Sequence, residues 1–277
     1  DLDRAERALR RTQAIDPSYF GTYYTLGKIE LERGNLEGAE PLFQHCLMIQ
    51  NKYHPGFFDL SVVRTLQHRD AEAEDLLRTA IEHAPQRVEY RVRLVEILRA
   101  RALGKEGRAA AEAALAAAEA ARDAGARSPD LSLQRGCTLL ELGRPAEAEE
   151  AFREGVAMDG ARIELRGNLA KVLIDRKSYG EAREHVLAGL SAMPQNAMLR
   201  FQLGLVDFRQ GRFEDAVAAV TPVLAADPKS VPARLLLARS YDALQDAAKA
   251  LAAWKGVLEV APDHAEARQR VEVLEKR

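Results

Sequence analysis

The sequence predicts an all-α fold, an α-solenoid of antiparallel helix pairs, because two residue types recur at a fixed spacing. Alanine recurs in steps of 34 residues, first at Ala5, Ala39 and Ala73, and then at Ala114, Ala148, Ala182, Ala216 and Ala250. Proline follows the same step or a multiple of it, at Pro17 and Pro85, and then at Pro194, Pro228 and Pro262. A constant period of this length indicates one supersecondary unit copied many times.

The period places one first helix and one second helix in each repeat of a single solenoid, 1–277. A half repeat, 1–17, consists of a second helix. The full repeats are 20–53, 54–87, 88–128, 129–162, 163–196, 197–230 and 231–264. The terminal helix, 265–277, is a first helix. Because both ends fall inside a repeat, we expect a segment of a longer protein, although an uncapped natural terminus stays open.

The residue types fit helices that pack closely in pairs and stack on their neighbours. Gly27, Gly136 and Gly204 on first helices, and the recurring alanines on second helices, allow two backbones to approach. Large apolar side chains fill the space between repeats, and only stacked neighbours bury such a core. They are Leu26, Leu169, Leu203, Leu237, Phe43, Phe152 and Trp254. First helices end at Gly34, Gly143 and Gly211, because a helix end often needs a residue in the left-handed conformation and glycine adopts it without strain.

The clearest repeat contains Leu203-Gly204, Gly211, Phe213, Ala216 and Pro228. These residue types at these spacings resemble the tetratricopeptide repeat family, and the resemblance extends along nearly the whole chain. It implies a right-handed superhelix whose first helices line a concave groove, where a partner protein or peptide usually lies.

The repeat 88–128 is seven residues longer than the others. Gly104 and Gly107 mark its turn, and the following run from Arg108 to Asp123 is rich in helix-forming residues. Seven residues are about two helical turns, so the insertion can lengthen the hairpin and keep its inward face in register. Two interpretations of the segment 101–127 stay open. One is a longer hairpin that projects from the array, and the other is a functional segment, either an extra contact surface or a joint between two sub-arrays.

Composition and motifs argue against several functional classes. A net charge of −2 with 30% charged residues gives no overall field that would recruit nucleic acid, and no apolar stretch is long enough for direct membrane insertion. The six histidines occupy six different repeat positions, and no catalytic motif is present. We therefore expect no enzyme activity, no metal site and no cofactor. The cytoplasm is the favoured compartment, with the periplasm as the alternative.

The positions that face the implied groove are spaced by three or four residues and share one helix face. Aromatic residues among them would be exposed, and such residues dominate binding hot spots. The alternative for any single residue is half-buried packing between adjacent first helices. Basic side chains beside them would orient acidic groups of the partner. The candidate residues are Tyr24, Lys28, Leu31, Phe58, Val62, Arg93, Leu133, Gly167, Asn168, Lys171, Phe201, Leu205, Phe208 and Arg239.

Gly167 is unusual because glycine inside a helix costs roughly 1 kcal/mol relative to alanine. It lies between Leu133 and Phe201 on the predicted face, so it could form a notch for a ligand with Asn168 and Lys171 at the edge. Close helix packing without a ligand is the alternative.

The sequence thus favours a non-catalytic protein-protein interaction scaffold or adaptor that holds a protein segment in its concave groove. We expect it to belong to a larger bacterial protein or assembly, such as pilus, secretion, motility or envelope machinery. One alternative is a peptide-responsive regulatory module. Another is a substrate-recognition module for an enzyme outside this segment. Self-association through the ends of the array is a further expectation.

Overall fold

A computed structural model of the protein describes residues 2–103 and 107–276. The described residues form helices and turns, without β-strands, which confirms the predicted all-α class. The helices are α1 Leu2–Ile15, α2 Phe20–Glu32, α3 Leu36–Ile49, α4 His54–Leu66, α5 Asp70–His83, α6 Val88–Leu103, α7 Gly107–Asp123, α8 Pro129–Glu141, α9 Pro145–Met158, α10 Ile163–Asp175, α11 Tyr179–Ala192, α12 Ala197–Arg209, α13 Phe213–Ala226, α14 Val231–Ala243, α15 Ala247–Val260 and α16 Ala265–Glu275.

The chain divides into two compact units, residues 1–148 (unit 1) and residues 149–277 (unit 2). In unit 1, helix α2 packs on α3, α4 on α5, and α6 on α7, and each pair packs on the next along the chain. The recurring alanines Ala39, Ala73 and Ala114 have no exposed surface, and neither does Phe43. Small residues therefore lie where two helices approach closely, as the period predicts.

Unit 2 repeats the arrangement, with α10 on α11, α12 on α13 and α14 on α15. Ala182 and Ala216 are completely buried, and so is the large side chain of Trp254. The Trp254 indole donates a hydrogen bond to Asp242 (Nε1 to Oδ2, 2.8 Å), so its one polar atom is satisfied inside the core. Burial of such side chains is the main source of stability in each stack.

The turns after α2, α4, α8, α10, α12 and α14 each contain a residue in the left-handed region. Gly34, Gly143 and Gly211 have φ values of 75°, 73° and 77° there, in agreement with the sequence analysis. His68 and Lys177 take the same conformation at φ 59° and 64° although they carry side chains. The helix-pair geometry thus imposes the turn even where glycine is missing.

A side-chain hydrogen bond to the backbone stabilises the start of several repeats. An arginine in the first turn of a first helix donates to the carbonyl oxygen of the residue six positions earlier, which lies near the start of the turn that precedes this helix. The pairs are Arg91 with Pro85, Arg166 with Gly160, Arg200 with Pro194, Arg234 with Pro228 and Arg268 with Pro262. The Tyr23 hydroxyl makes the same contact with the Pro17 carbonyl at 2.9 Å.

The insertion lengthens one hairpin of unit 1. Helices α6 and α7 have 16 and 17 residues, compared with 13 and 14 in the helix pair α4 and α5. Their contact is built from buried Val95 and Leu98 on α6 and Ala114, Ala118 and Ala121 on α7. Gly104, one of the two glycines predicted at the turn, lies outside the described residues.

Candidate functional site

The fourteen predicted binding residues all lie on first helices. Those of unit 1 lie on α2, α4, α6 and α8 and are called here the unit 1 surface: Tyr24, Lys28, Leu31, Phe58, Val62, Arg93 and Leu133. Those of unit 2 lie on α10, α12 and α14 and are called the unit 2 surface: Gly167, Asn168, Lys171, Phe201, Leu205, Phe208 and Arg239.

The aromatic residues of both surfaces are half-buried, which corresponds to the packing alternative rather than to full exposure. Tyr24 packs against a core cluster that contains Phe43, and Phe58 packs against the cluster around Tyr90. Phe201 and Phe208 pack in the same way against a core cluster formed by buried residues of α13 and α14. Adjacent first helices are close enough for a side chain on one to rest on the next, and this contact removes part of each ring from solvent.

In unit 1, a buried carboxylate lies behind the predicted face. Asp59 on α4 is 5% exposed, and its Oδ1 is 3.8 Å from the Lys28 Nζ. Burial raises the pKa of Asp59, while the Tyr24 hydroxyl and the Lys28 ammonium lower it by a smaller amount. The pKa of Tyr24 is raised as well, chiefly by burial and then by its hydrogen bond with Asp59. Tyr24 and Lys28 are therefore held by a residue of the neighbouring repeat.

Aromatic contacts join the same helices further along. The Phe58 and Tyr90 rings stack with their centroids 4.7 Å apart, and the Tyr24 and Tyr53 rings meet edge to face at 5.0 Å. His54 Nδ1 lies 2.7 Å from the Tyr90 hydroxyl, and burial lowers the pKa of this histidine. These neighbours were not predicted from the sequence. The nearest signal is at residues 51–55, where the 34-residue step between Pro17 and Pro85 places a proline at position 51 but the chain has Asn51 and then Pro55.

A cavity of about 370 Å³ lies beside Phe58 in unit 1. Its charged lining residues are Glu89, Glu96 and Asp130, which are acidic, and Arg93, which pairs with Glu96 at 3.1 Å. The remaining lining residues are Phe58, Val88, Val92 and Ser128. This cavity therefore combines a narrow apolar strip with an excess of negative charge.

A larger cavity of about 570 Å³ lies between α12 and α14 in unit 2. It brings together four of the predicted residues, Phe201, Leu205, Phe208 and Arg239. The other lining residues are Arg209, Val231, Pro232, Leu235 and Leu236. Its volume lies within the roughly 300–1,000 Å³ typical of ligand pockets. Apolar side chains form most of the lining, and both of the charged lining residues are arginines.

The notch predicted at Gly167 is filled. Gly167 is buried, and a β-carbon built on it would lie 2.5 Å from the Met198 Cε of the next first helix. The Gly167 carbonyl accepts a hydrogen bond from Gln202 Nε2 at 2.9 Å, so its backbone also contacts α12. The geometry corrects the expectation of a pocket and corresponds to the close-packing alternative. Asn168 donates to the Glu164 carbonyl of its own helix, and Lys171 is exposed.

Groups that could bind a metal ion or act as nucleophiles are scarce in the described parts of the chain. These parts contain no cluster of three or more His, Cys, Asp or Glu residues suited to a metal ion. Burial raises the pKa of the Cys46 thiol to about 11, which disfavours the reactive thiolate. No helix within residues 2–103 and 107–276 has the length and apolar character needed to cross a membrane.

Several solved structures share this architecture of stacked helix pairs. PilF of Pseudomonas aeruginosa is 19% identical with a TM-score of 0.66, over 79% of this chain and 97% of that chain. A tetratricopeptide repeat protein of Parabacteroides merdae is 14% identical with a TM-score of 0.61, over 94% and 100% of the two chains. MamA (residue 41 to the end) of Desulfovibrio magneticus RS-1 is 20% identical with a TM-score of 0.56, over 63% and 97%. At these identities the likeness concerns the fold.

Sequence comparisons identify the family. No curated protein sequence matches the chain significantly. Two family models described as tetratricopeptide repeat do match, one over residues 139–202 and 207–270 and the other over residues 20–53. These matches, with the stacked helix pairs and their 34-residue period, show that the chain belongs to the tetratricopeptide repeat family.

Proposed function

We propose that this protein is a non-catalytic scaffold that binds a segment of a partner protein on the faces of its first helices. Tetratricopeptide repeat proteins bind protein partners and are generally non-catalytic, which supports the general role. The observation that carries the specific proposal is the unit 2 cavity, where Phe201, Leu205 and Phe208 converge on an open apolar surface. Open apolar surfaces with few polar groups are the usual sites of recognition.

The unit 1 surface has a supporting role in this proposal. Its rings are held by Tyr53, Asp59 and Tyr90, so they present a fixed surface and lose little conformational freedom on binding. Aromatic side chains that are already ordered are favourable anchors for a partner. The partner is expected to depend on unit 2 for most of its binding energy.

The proposed setting is a bacterial assembly such as pilus, secretion, motility or envelope machinery. Arginine and alanine are abundant in the chain, a composition typical of GC-rich bacterial genomes. Several proteins of similar fold are bacterial, including PilF of Pseudomonas aeruginosa. This part of the proposal concerns the process, and the partner's identity will test it directly.

The test is a pull-down from the native host with the whole chain carrying Phe201→Ala and Phe208→Ala. Leu187→Ala is the matched control, because Leu187 is an apolar residue of second helix α11 that is 39% exposed. We expect a partner that the wild type and the Leu187 control capture and the double variant loses at least tenfold. Circular dichroism and denaturant unfolding confirm that the double variant is folded.

Equal capture by the folded double variant would contradict binding at the unit 2 cavity. In that case, the same experiment with Tyr24→Ala and Phe58→Ala determines whether the unit 1 surface binds the partner. Retention by both double variants would contradict the proposal that first-helix faces bind the partner.

A further inference from the structure

We infer that the unit 2 cavity accepts a partner segment in which a large apolar side chain is flanked by carboxylates. This inference rests on the proposed function and states the chemical class of the segment. It follows from the distribution of charge around the cavity, since an apolar lining alone would accept any apolar side chain.

The floor of the cavity suits one large apolar side chain. Leu236 is 5% exposed and closes the base, while the half-buried Phe201, Leu205, Phe208 and Leu235 form the walls. Filling such a space removes apolar surface from water on both partners, at about 25 cal/mol per Å². A segment without a large apolar side chain would leave this surface exposed.

The rim of the cavity is cationic. Arg209 and Arg239 are its two charged lining residues, and no carboxylate is among the lining residues. Arg209 is exposed and forms no ion pair with any residue that the structure describes. A guanidinium binds a carboxylate through two parallel hydrogen bonds, so each arginine can hold one acidic residue of the partner.

Arg239 already pairs with a carboxylate of this chain, which is an example of the contact that a carboxylate of the partner would make. Its Nε is 2.9 Å from Glu266 Oε1 on α16, and this guanidinium lowers the pKa of Glu266. The side chains of Arg239 and Glu266 are 47% and 38% exposed. Exposed pairs of this kind contribute little to stability, so a partner carboxylate can replace Glu266 at little cost.

A basic segment would meet like charges at both rim positions, which is unfavourable at this separation and disfavours it as an occupant. The unit 1 cavity has the opposite character, with three acidic residues and one arginine in its lining. A basic segment that binds the chain would therefore be expected at unit 1, and the unit 2 variants below distinguish the two cavities.

The experiment uses the whole chain and four labelled synthetic peptides of equal length, measured by fluorescence anisotropy. Three have a Leu-Phe core flanked by aspartate and glutamate, by serine, or by lysine. The fourth has acidic flanks and an Ala-Ala core. We expect the acidic Leu-Phe peptide to bind at least tenfold more tightly than the lysine and Ala-Ala peptides. Its advantage over the serine peptide should shrink as salt increases.

Charge reversal at the rim localises the effect. With Arg209→Glu and Arg239→Glu, the acidic peptide should lose at least tenfold in affinity, while the serine peptide changes less than threefold. Lys255→Glu is the control, because Lys255 is an exposed basic residue on second helix α15 of unit 2 that is not part of the cavity lining and pairs with Glu275 on α16. It reverses one positive charge, as each of the two rim substitutions does, and should leave all four affinities unchanged.

Equal affinity for acidic and basic peptides, or no binding of the acidic peptide at millimolar concentration, would overturn the inference. So would an acidic peptide that binds the charge-reversed variant as well as the wild type. If all Leu-Phe peptides bind equally whatever the charge of their flanks, and Phe201→Ala abolishes this binding, the inference of an acidic partner segment is wrong and the proposed scaffold function stands. If Phe201→Ala has no effect on a bound acidic peptide, the binding site itself is wrong.

Discussion

Phe58 in unit 1 and Phe201 in unit 2 occupy the same position of their repeats but have different surroundings. The Phe58 ring stacks on Tyr90 of the next first helix and borders the smaller cavity. Phe201 stacks on no ring among the described residues, and together with Leu235 of the next first helix it lines the larger cavity. The comparison shows that the repeat period sets where a residue lies on its helix. The next repeat then determines what covers that position, which is an aromatic ring on α6 for Phe58 and aliphatic side chains on α14 for Phe201.

The largest expected effect separates packing from binding. Phe58→Ala should lower the free energy of unfolding by about 2 kcal/mol and Phe201→Ala by about 1 kcal/mol, both below the ~3–5 kcal/mol of a fully buried phenylalanine. Phe58→Ala should cost more than Phe201→Ala because it also removes the stacking contact with the Tyr90 ring. Denaturant unfolding of the whole chain measures both values. A larger loss for Phe201→Ala would break the comparison between the two positions.

A buried aspartate in each unit extends the comparison, because we expect the Asp→Asn substitution to stabilise the fold at Asp59 in unit 1 and to destabilise it at Asp207 in unit 2. Burial raises the pKa of Asp59, so the folded protein favours its protonated form, and its ionisation destabilises the fold progressively as pH rises from about 4. Asp59→Asn should therefore raise the Tm by roughly 1–3 °C at pH 7 and by less at pH 3.5. A thermal melt at each pH checks this.

Asp207 in unit 2 is the matched control. It is 1% exposed, and its Oδ1 accepts hydrogen bonds from Arg183 at 2.9 Å and from Arg212 Nε at 2.8 Å. Asp207→Asn should cost about 1.5 kcal/mol at pH 7, because hydrogen bonds to charged groups are lost. Equal signs for the two substitutions would show that ion-pair partners do not distinguish the two aspartates.

The smallest effect concerns the arginine braces, which both units share. Arg234→Gln removes a 2.7 Å hydrogen bond to the Pro228 carbonyl and should cost about 0.5–1 kcal/mol. In unit 1, Arg91→Gln should cost less, because its shortest contact with the Pro85 carbonyl is 3.1 Å. Denaturant unfolding compares the two variants. A cost above 2 kcal/mol for Arg91→Gln would contradict this order.

Much of the fold was predictable because helix-pair geometry is local and repeats. The three-residue spacing of Leu205 and Phe208, and the four-residue spacing of Phe201 and Leu205, follow from the helical period, and these side chains do meet at one cavity. The left-handed turns at Gly34 and Gly211 are predictable for the same reason.

The candidate site was less predictable where contacts depend on the neighbouring repeat. Whether the space beside Gly167 is open depends on Met198, which lies 31 residues away. The burial of Asp59 depends in the same way on the packing of α2 against α4, to which Tyr24 and Lys28 contribute. One repeat's sequence does not contain this information, and the period alone cannot reveal which positions remain exposed.

The arginine braces have a consequence for how such an array can change length. Each brace joins two residues only six positions apart, across one turn, and needs no contact with a more distant repeat. Any 34-residue stretch that includes the junction, such as the one holding Pro228 and Arg234, therefore contains both halves of its own brace. Duplication or deletion of whole repeats leaves each braced junction intact, so arrays of this design can lengthen or shorten in evolution and keep these hydrogen bonds.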